Sequence, residues 1–118
     1  MYVIKFTDYG LQNVRALSKS VRNALKAELL EKLAADPHRC SVGLTTILRG
    51  FRSYHWNDYR IVFKIYDDLQ AISIAAVGKH DKNAKIDVYK RLEAVVSQGR
   101  LAQKALIALK GFSLPDSG

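Results

Sequence analysis

The chain has 118 residues, enough for one packed core and too few for two ordinary domains. Hydrophobic residues make up 48% and charged residues 25%, which excludes wholesale disorder, and no apolar run reaches the roughly 20 residues of a membrane span. Nineteen Lys and Arg against eleven Asp and Glu leave a net charge of +8, which points to a polyanionic partner. Nucleic acid or an acidic protein fits better than a membrane, because no strongly basic and strongly apolar amphipathic segment is present.

Tyr2 to Phe6 is rich in β-branched and aromatic residues and reads as a strand. Thr7 and Asp8 can cap the helical stretch that follows, to about Ala35. Val21, Leu25, Leu29 and Leu33 form an apolar stripe at helical spacing, and Ser18-Lys19-Ser20 divides the stretch into a short and a long helix. Asp36-Pro37 ends the second helix, since the residue before proline disfavours helical backbone. From His38 to Gly50 a loop leads into an extended piece.

Phe51 to Tyr66, FRSYHWNDYRIVFKIY, reads as a β-hairpin around a two-residue Asn57-Asp58 turn. In that register Trp56 faces Tyr59, His55 faces Arg60 and Tyr54 faces Ile61. One face carries Tyr54, Trp56, Tyr59, Ile61, Phe63 and Ile65, with Trp56 and Tyr59 packing on the helices. The other face carries Ser53, His55, Arg60, Val62 and Lys64. A second two-residue turn at Asp67-Asp68 sets Phe63 opposite Ile72 and Ile61 opposite Ile74. Ala71, Ser73, Ala75 and Val77 then lie beside Arg60 and Lys64. After the polar loop Gly78 to Lys85, Asp87 caps a helix to about Gln98, with Gly99 as its stop. A further short helix spans about Leu101 to Lys110 and ends at Gly111. The expected organisation is one domain over residues 1–112, of which about 99–112 form a helical extension, and a flexible tail at 113–118. The expected class is α+β: an N-terminal strand and helical hairpin packed on a small antiparallel sheet, with C-terminal helices, and helices covering one sheet face.

His55, Arg60, Lys64, Lys79, His80, Lys82 and Tyr89 map to one sheet face or to the loop and helix start at its edge. RNA cleavage by internal transesterification needs a base for the 2′-OH, cations for the phosphorane and an acid for the 5′-oxygen. Histidine titrates near neutrality and suits the proton transfers; arginine is permanently charged and suits the phosphate. Exposed Lys and Arg are also what any solvated face carries. Cys40 is the only cysteine, the three His lack a metal-ligand spacing, and no phosphate-loop or dinucleotide motif occurs. No metal or cofactor is therefore expected. The N-terminus shows no secretory pattern, and a cytoplasmic location is expected.

Leu48-Arg49-Gly50, Asp58-Tyr59-Arg60-Ile61 with Val62 to Asp67, Ala76-Val77-Gly78-Lys79-His80 and Asp87-Val88-Tyr89 together resemble the RelE/ParE superfamily of bacterial toxins. The resemblance covers roughly Tyr2 to Val96. It implies the toxin of a type II toxin–antitoxin pair, held by a cognate antitoxin. On the RelE-like branch it implies a ribosome-dependent mRNA endoribonuclease that needs no metal; on the ParE-like branch it implies a DNA gyrase inhibitor without RNA cleavage. A noncatalytic basic binding module is the further alternative. By position, Arg60 matches the phosphate-binding arginine and Tyr89 the substrate-contacting tyrosine. His55 and His80 are the candidates for base and acid, and Arg52, Lys64, Lys79 and Lys82 for RNA contact. The chain departs from the family where Ser53 and His55 occupy strand positions that are usually basic, and where His80 stands in place of an arginine.

Overall fold

In a computed structural model of the protein, residues 1–110 are described, with side chains through residue 99. The elements run β1 (Val3–Phe6), α1 (Asp8–Arg15), α2 (Lys19–Glu28), β2 (Val42–Gly43), β3 (Arg52–Trp56), β4 (Tyr59–Tyr66), β5 (Ala71–Lys79) and α3 (Val88–Lys110). They form one five-stranded sheet in the order β1-β5-β4-β3-β2. β1 pairs parallel with β5, and every other pairing is antiparallel.

The N-terminal helices follow from their caps. The Thr7 hydroxyl accepts from the Gly10 N–H at 3.0 Å, and the Ser18 hydroxyl accepts from the Val21 N–H at 3.3 Å. Each satisfies a donor that the first helical turn leaves unpaired. A stripe repeating every four residues drifts by about 40° per step on a 3.6-residue helix. A wider π-helical turn over Leu29–Leu33 takes up that drift, with the Ala34 N–H bonded to the Leu29 carbonyl at 2.8 Å. Leu25, Leu29 and Leu33 consequently all face the sheet and pack on Tyr54, Ile61, Phe63, Ile72 and Ile74. The Tyr54 hydroxyl donates to Glu28, tying the end of α2 to the centre of β3.

The first hairpin has the expected register: Trp56 pairs with Tyr59, His55 with Arg60 and Tyr54 with Ile61. Asn57 takes left-handed backbone (φ 53°), a conformation that asparagine tolerates. The second connection differs from expectation. A 3₁₀ turn over Asp67–Leu69 and a left-handed Gln70 (φ 48°) make it four residues long, so Ile65 pairs with Ile72 and Phe63 with Ile74. A bulge between Val62 and Phe63 then sets Ile61 opposite Val77. The extra residue moves Val77 onto the α2 face and leaves Ala76 and Gly78 beside Val62 and Arg60.

Helices cover both sheet faces, not one. α3 crosses the face opposite α2, where Val88 and Leu92 pack with Leu48, Val62, Ala75 and Ala76. α3 also runs unbroken through Gly99 to Lys110, where a stop and a second helix were expected. Gly99 has no neighbour within 4 Å of its would-be Cβ and keeps helical backbone, so it weakens the helix without ending it. The expected stop at Gly111 and the tail at 113–118 lie outside the described residues.

Candidate active site at the open end of the sheet

β3, β4 and β5 present His55, Arg60 and Gly78 side by side on the α3 face, at the end that α3 leaves open. The Arg60 Nη1 donates to the carbonyls of Asn57 (3.1 Å) and Tyr59 (2.9 Å), which anchors the guanidinium to the hairpin turn. Among the described residues no carboxylate neutralises it. His55 is exposed, and its pKa is lowered by partial burial and by the positive charges of Arg60 and His80. Those influences place the two histidines and the arginine within one electrostatic neighbourhood.

His80 follows the last residue of β5, and its Nδ1 lies 2.6 Å from Oδ1 of Asp87. A carboxylate only accepts, so Nδ1 carries the proton and Nε2 is the position left for exchange. Asp87 is 3% exposed and holds two further hydrogen bonds, from the N–H of Asp81 (2.8 Å) and of Lys90 (3.0 Å). Burial pushes its carboxyl up, but these N–H donors and His80 outweigh that and hold it below the usual carboxylate range. The Lys90 bond is the N-cap of α3, so one residue both starts the helix and orients the imidazole.

Tyr89, two residues on, meets the His80 ring edge-on at 5.2 Å between centroids. Its hydroxyl lies 2.7 Å from the hydroxyl of Ser53, which is buried. The departure from a basic residue at position 53 thus has a local reason: a small hydroxyl there receives Tyr89. Gly78 lies just below, where a Cβ would stand 3.2 Å from Cβ of Val88, a tight contact for the start of α3.

The structure brings together His55, Arg60, His80 and Tyr89, and adds Asp87 and Ser53. It does not bring in the remaining candidates. Arg52 lies on the opposite face; it donates to the Ser41 hydroxyl (2.7 Å) and to the carbonyls of Ser41 (2.9 Å) and His38 (3.1 Å). Lys64 is four residues along β4 from Arg60, roughly 13 Å away, with Nζ over the Phe51 ring at 4.5 Å. Lys79 pairs with Tyr59 and sits over its ring at 5.5 Å, on the face away from Arg60. Lys82 is exposed in the loop before α3. Sequence reasoning gave Asp87 only as a helix cap; a histidine seven residues before a capping aspartate was the available signal.

Among the described residues no helix is long and apolar enough to cross a membrane, and no group of three His, Cys, Asp or Glu is placed to hold a metal ion. The family described as the ParE toxin of type II toxin–antitoxin systems, parDE, matches residues 4–84. A RelE-like toxin protein of Escherichia coli is 28% identical over 89 residues, covering 75% of this chain and 90% of that protein. The toxin–antitoxin complex RelBE2 of Mycobacterium tuberculosis contains a chain that is 23% identical with a TM-score of 0.63, covering 67% of this chain and 98% of that one. The isolated Escherichia coli RelE toxin is 22% identical with a TM-score of 0.57, covering 70% of this chain and 88% of that one. The solved structures carry the fold, and the family match spans most of the chain. The chain belongs to that family, and with it to the RelE/ParE toxins of type II toxin–antitoxin systems.

Proposed function

We propose that this toxin cleaves mRNA on the ribosome by internal transesterification at the open end of the sheet. The observation that carries the reading is His80, exposed and oriented by the buried Asp87, beside Arg60 and His55. His55, biased toward its neutral form, takes the proton from the 2′-OH. The 2′-oxygen attacks the adjacent phosphorus, and Arg60 stabilises the charge on the phosphorane. His80 gives the proton on Nε2 to the departing 5′-oxygen, leaving a 2′,3′-cyclic phosphate and a 5′-OH. Tyr89, fixed by Ser53, positions the nucleotide.

The partner that holds the toxin is a cognate antitoxin, by analogy with the RelBE complexes. A groove of about 510 Å³ between β1 and α2 supports this, with an apolar floor that includes Ile4, Phe6 and Leu30 and a rim of Lys19, Arg22 and Lys26. It suits an amphipathic segment with acidic residues.

Mapping transcript ends in a translating extract tests the activity. Wild type is expected to produce new 5′-OH ends, with His80→Ala and Arg60→Ala reduced by about 10²-fold or more. The second reading, gyrase inhibition, is favoured by the ParE-named family match and by Ser53 in place of a strand cation. Intact transcripts together with loss of gyrase supercoiling would replace the first reading with the second.

A further inference from the structure

Next to the His80 cluster the edge of β5 opens into a second cleft that the proposed chemistry does not use. Its volume is about 410 Å³, within the range of small-molecule sites. It exists because β1 stops pairing at Ile74 while β5 continues to Lys79, leaving α1 to cover the remaining edge. The Asn13 side chain accepts from the Val77 N–H at 3.0 Å, so Val77 turns its polar groups toward α1. Alternation along the strand turns those of Lys79 the same way. By that alternation the Val77 carbonyl and the Lys79 N–H point away from β4, and neither has a backbone partner outside the strands among the described residues.

That edge offers a donor and an acceptor side by side, the pattern that a nucleobase edge answers. Gln12 adds an amide that both donates and accepts, and Tyr9 and Tyr59 supply aromatic walls. Lys79 and Arg91 bring two cations to the same cleft. Lys79 is also the residue before His80, so the cleft lies around the β5 edge from the catalytic cluster, one residue along the chain and on the other sheet face.

We infer that this cleft holds the nucleotide next to the scissile phosphate, with Gln12 and the β5 edge reading its base and Lys79 and Arg91 binding its phosphate. The inference rests on the RNA-cleavage reading of the site. Gln12 and Arg91 are exposed, so Gln12→Ala and Arg91→Ala leave the core intact.

The test has two arms on the full chain. In the first, isotope-labelled protein is titrated separately with AMP, GMP, CMP and UMP and followed by NMR. Saturable shifts at Gln12, Lys79 and Arg91 are expected, with affinity lowered about fivefold by either substitution, the loss of one hydrogen bond. No shifts, or shifts confined to another surface, overturn the inference. In the second, transcript ends are mapped for Gln12→Ala, which is expected to keep cutting while its base preference beside the cut flattens. An unchanged preference also overturns the inference. If wild type leaves transcripts intact, the RNA-cleavage reading fails, and the mononucleotide titration alone decides whether the cleft binds nucleotides.

Discussion

Asp87 and His80 face each other across 2.6 Å, the carboxylate buried and the imidazole 58% exposed. A charge is stable in that position because three donors converge on it: the imidazole, the Asp81 N–H in the loop after β5 and the Lys90 N–H in the first turn of α3. The helix therefore sets the direction of the histidine, and the first prediction follows from separating the two roles. Asn caps a helix about as well as Asp, so Asp87→Asn is expected to keep most of the stability while lowering RNA cleavage at least about tenfold. Asp87→Ala loses both roles and is expected to cost about 1–2 kcal/mol in urea unfolding. Because the folded carboxyl titrates below the unfolded value near 3.9, its contribution is complete above that value. It is lost as pH falls through the lower folded value. Stability of the wild type should fall over that acid window more steeply than that of Asp87→Asn.

His55 supplies a second pH signature. Partial burial comes first among the causes of its lowered pKa, followed by Arg60 and His80. A depressed histidine pKa favours the folded state above the ordinary value near 6.5, and that contribution is lost as pH falls through the folded value. NMR titration of the His55 ring should give a midpoint below 6.5, shifted upward in Arg60→Gln. A wild-type midpoint at or above the ordinary value would remove His55 as the group poised to act as base near neutrality.

The elements governed by local chemistry were readable from the residues. The polar Asn57-Asp58 pair between two alternating strands fixes the hairpin register, and Thr7 sits where a capping side chain belongs. The β4–β5 register was not readable, because Gln70 in left-handed backbone lengthens the turn and the bulge is set by tertiary packing. At the site, strand parity separated Arg60 from Arg52, but it set Lys79 beside Arg60, and only the bulge turns Lys79 to the other face. Asp87 escaped because a capping aspartate and a histidine-orienting aspartate look alike until the loop between His80 and Asp87 closes.

The two arginines of the hairpin should behave oppositely on substitution. Arg52 fastens the segment from His38 to Ser41 to β3 through three hydrogen bonds. Arg52→Ala is expected to destabilise the fold by about 1–3 kcal/mol with cleavage per folded molecule unchanged. Among the described residues Arg60 bonds only to carbonyls of its own turn, so Arg60→Ala should lose activity and leave the unfolding midpoint nearly unmoved. Urea unfolding and transcript mapping on the same two variants distinguish the roles; the reverse pattern would exchange them.

Two glycines on helices should also separate. At Gly10 a Cβ would stand 2.3 Å from the Ile74 carbonyl oxygen, so α1 can lie against β5 only because the side chain is absent. Gly10→Ala is expected to push α1 off the strand and cost about 1–3 kcal/mol, the range for overpacking a close contact. The shift would also strain the bond from Val77 to Asn13 and the cleft beside it. At Gly99 nothing lies within 4 Å, and the backbone is already helical. Gly99→Ala should stabilise α3 by up to about 1 kcal/mol through backbone entropy alone. Unfolding of both variants by urea, with the slope compared to wild type, checks the pair. A neutral Gly10→Ala would mean that α1 does not approach β5 this closely.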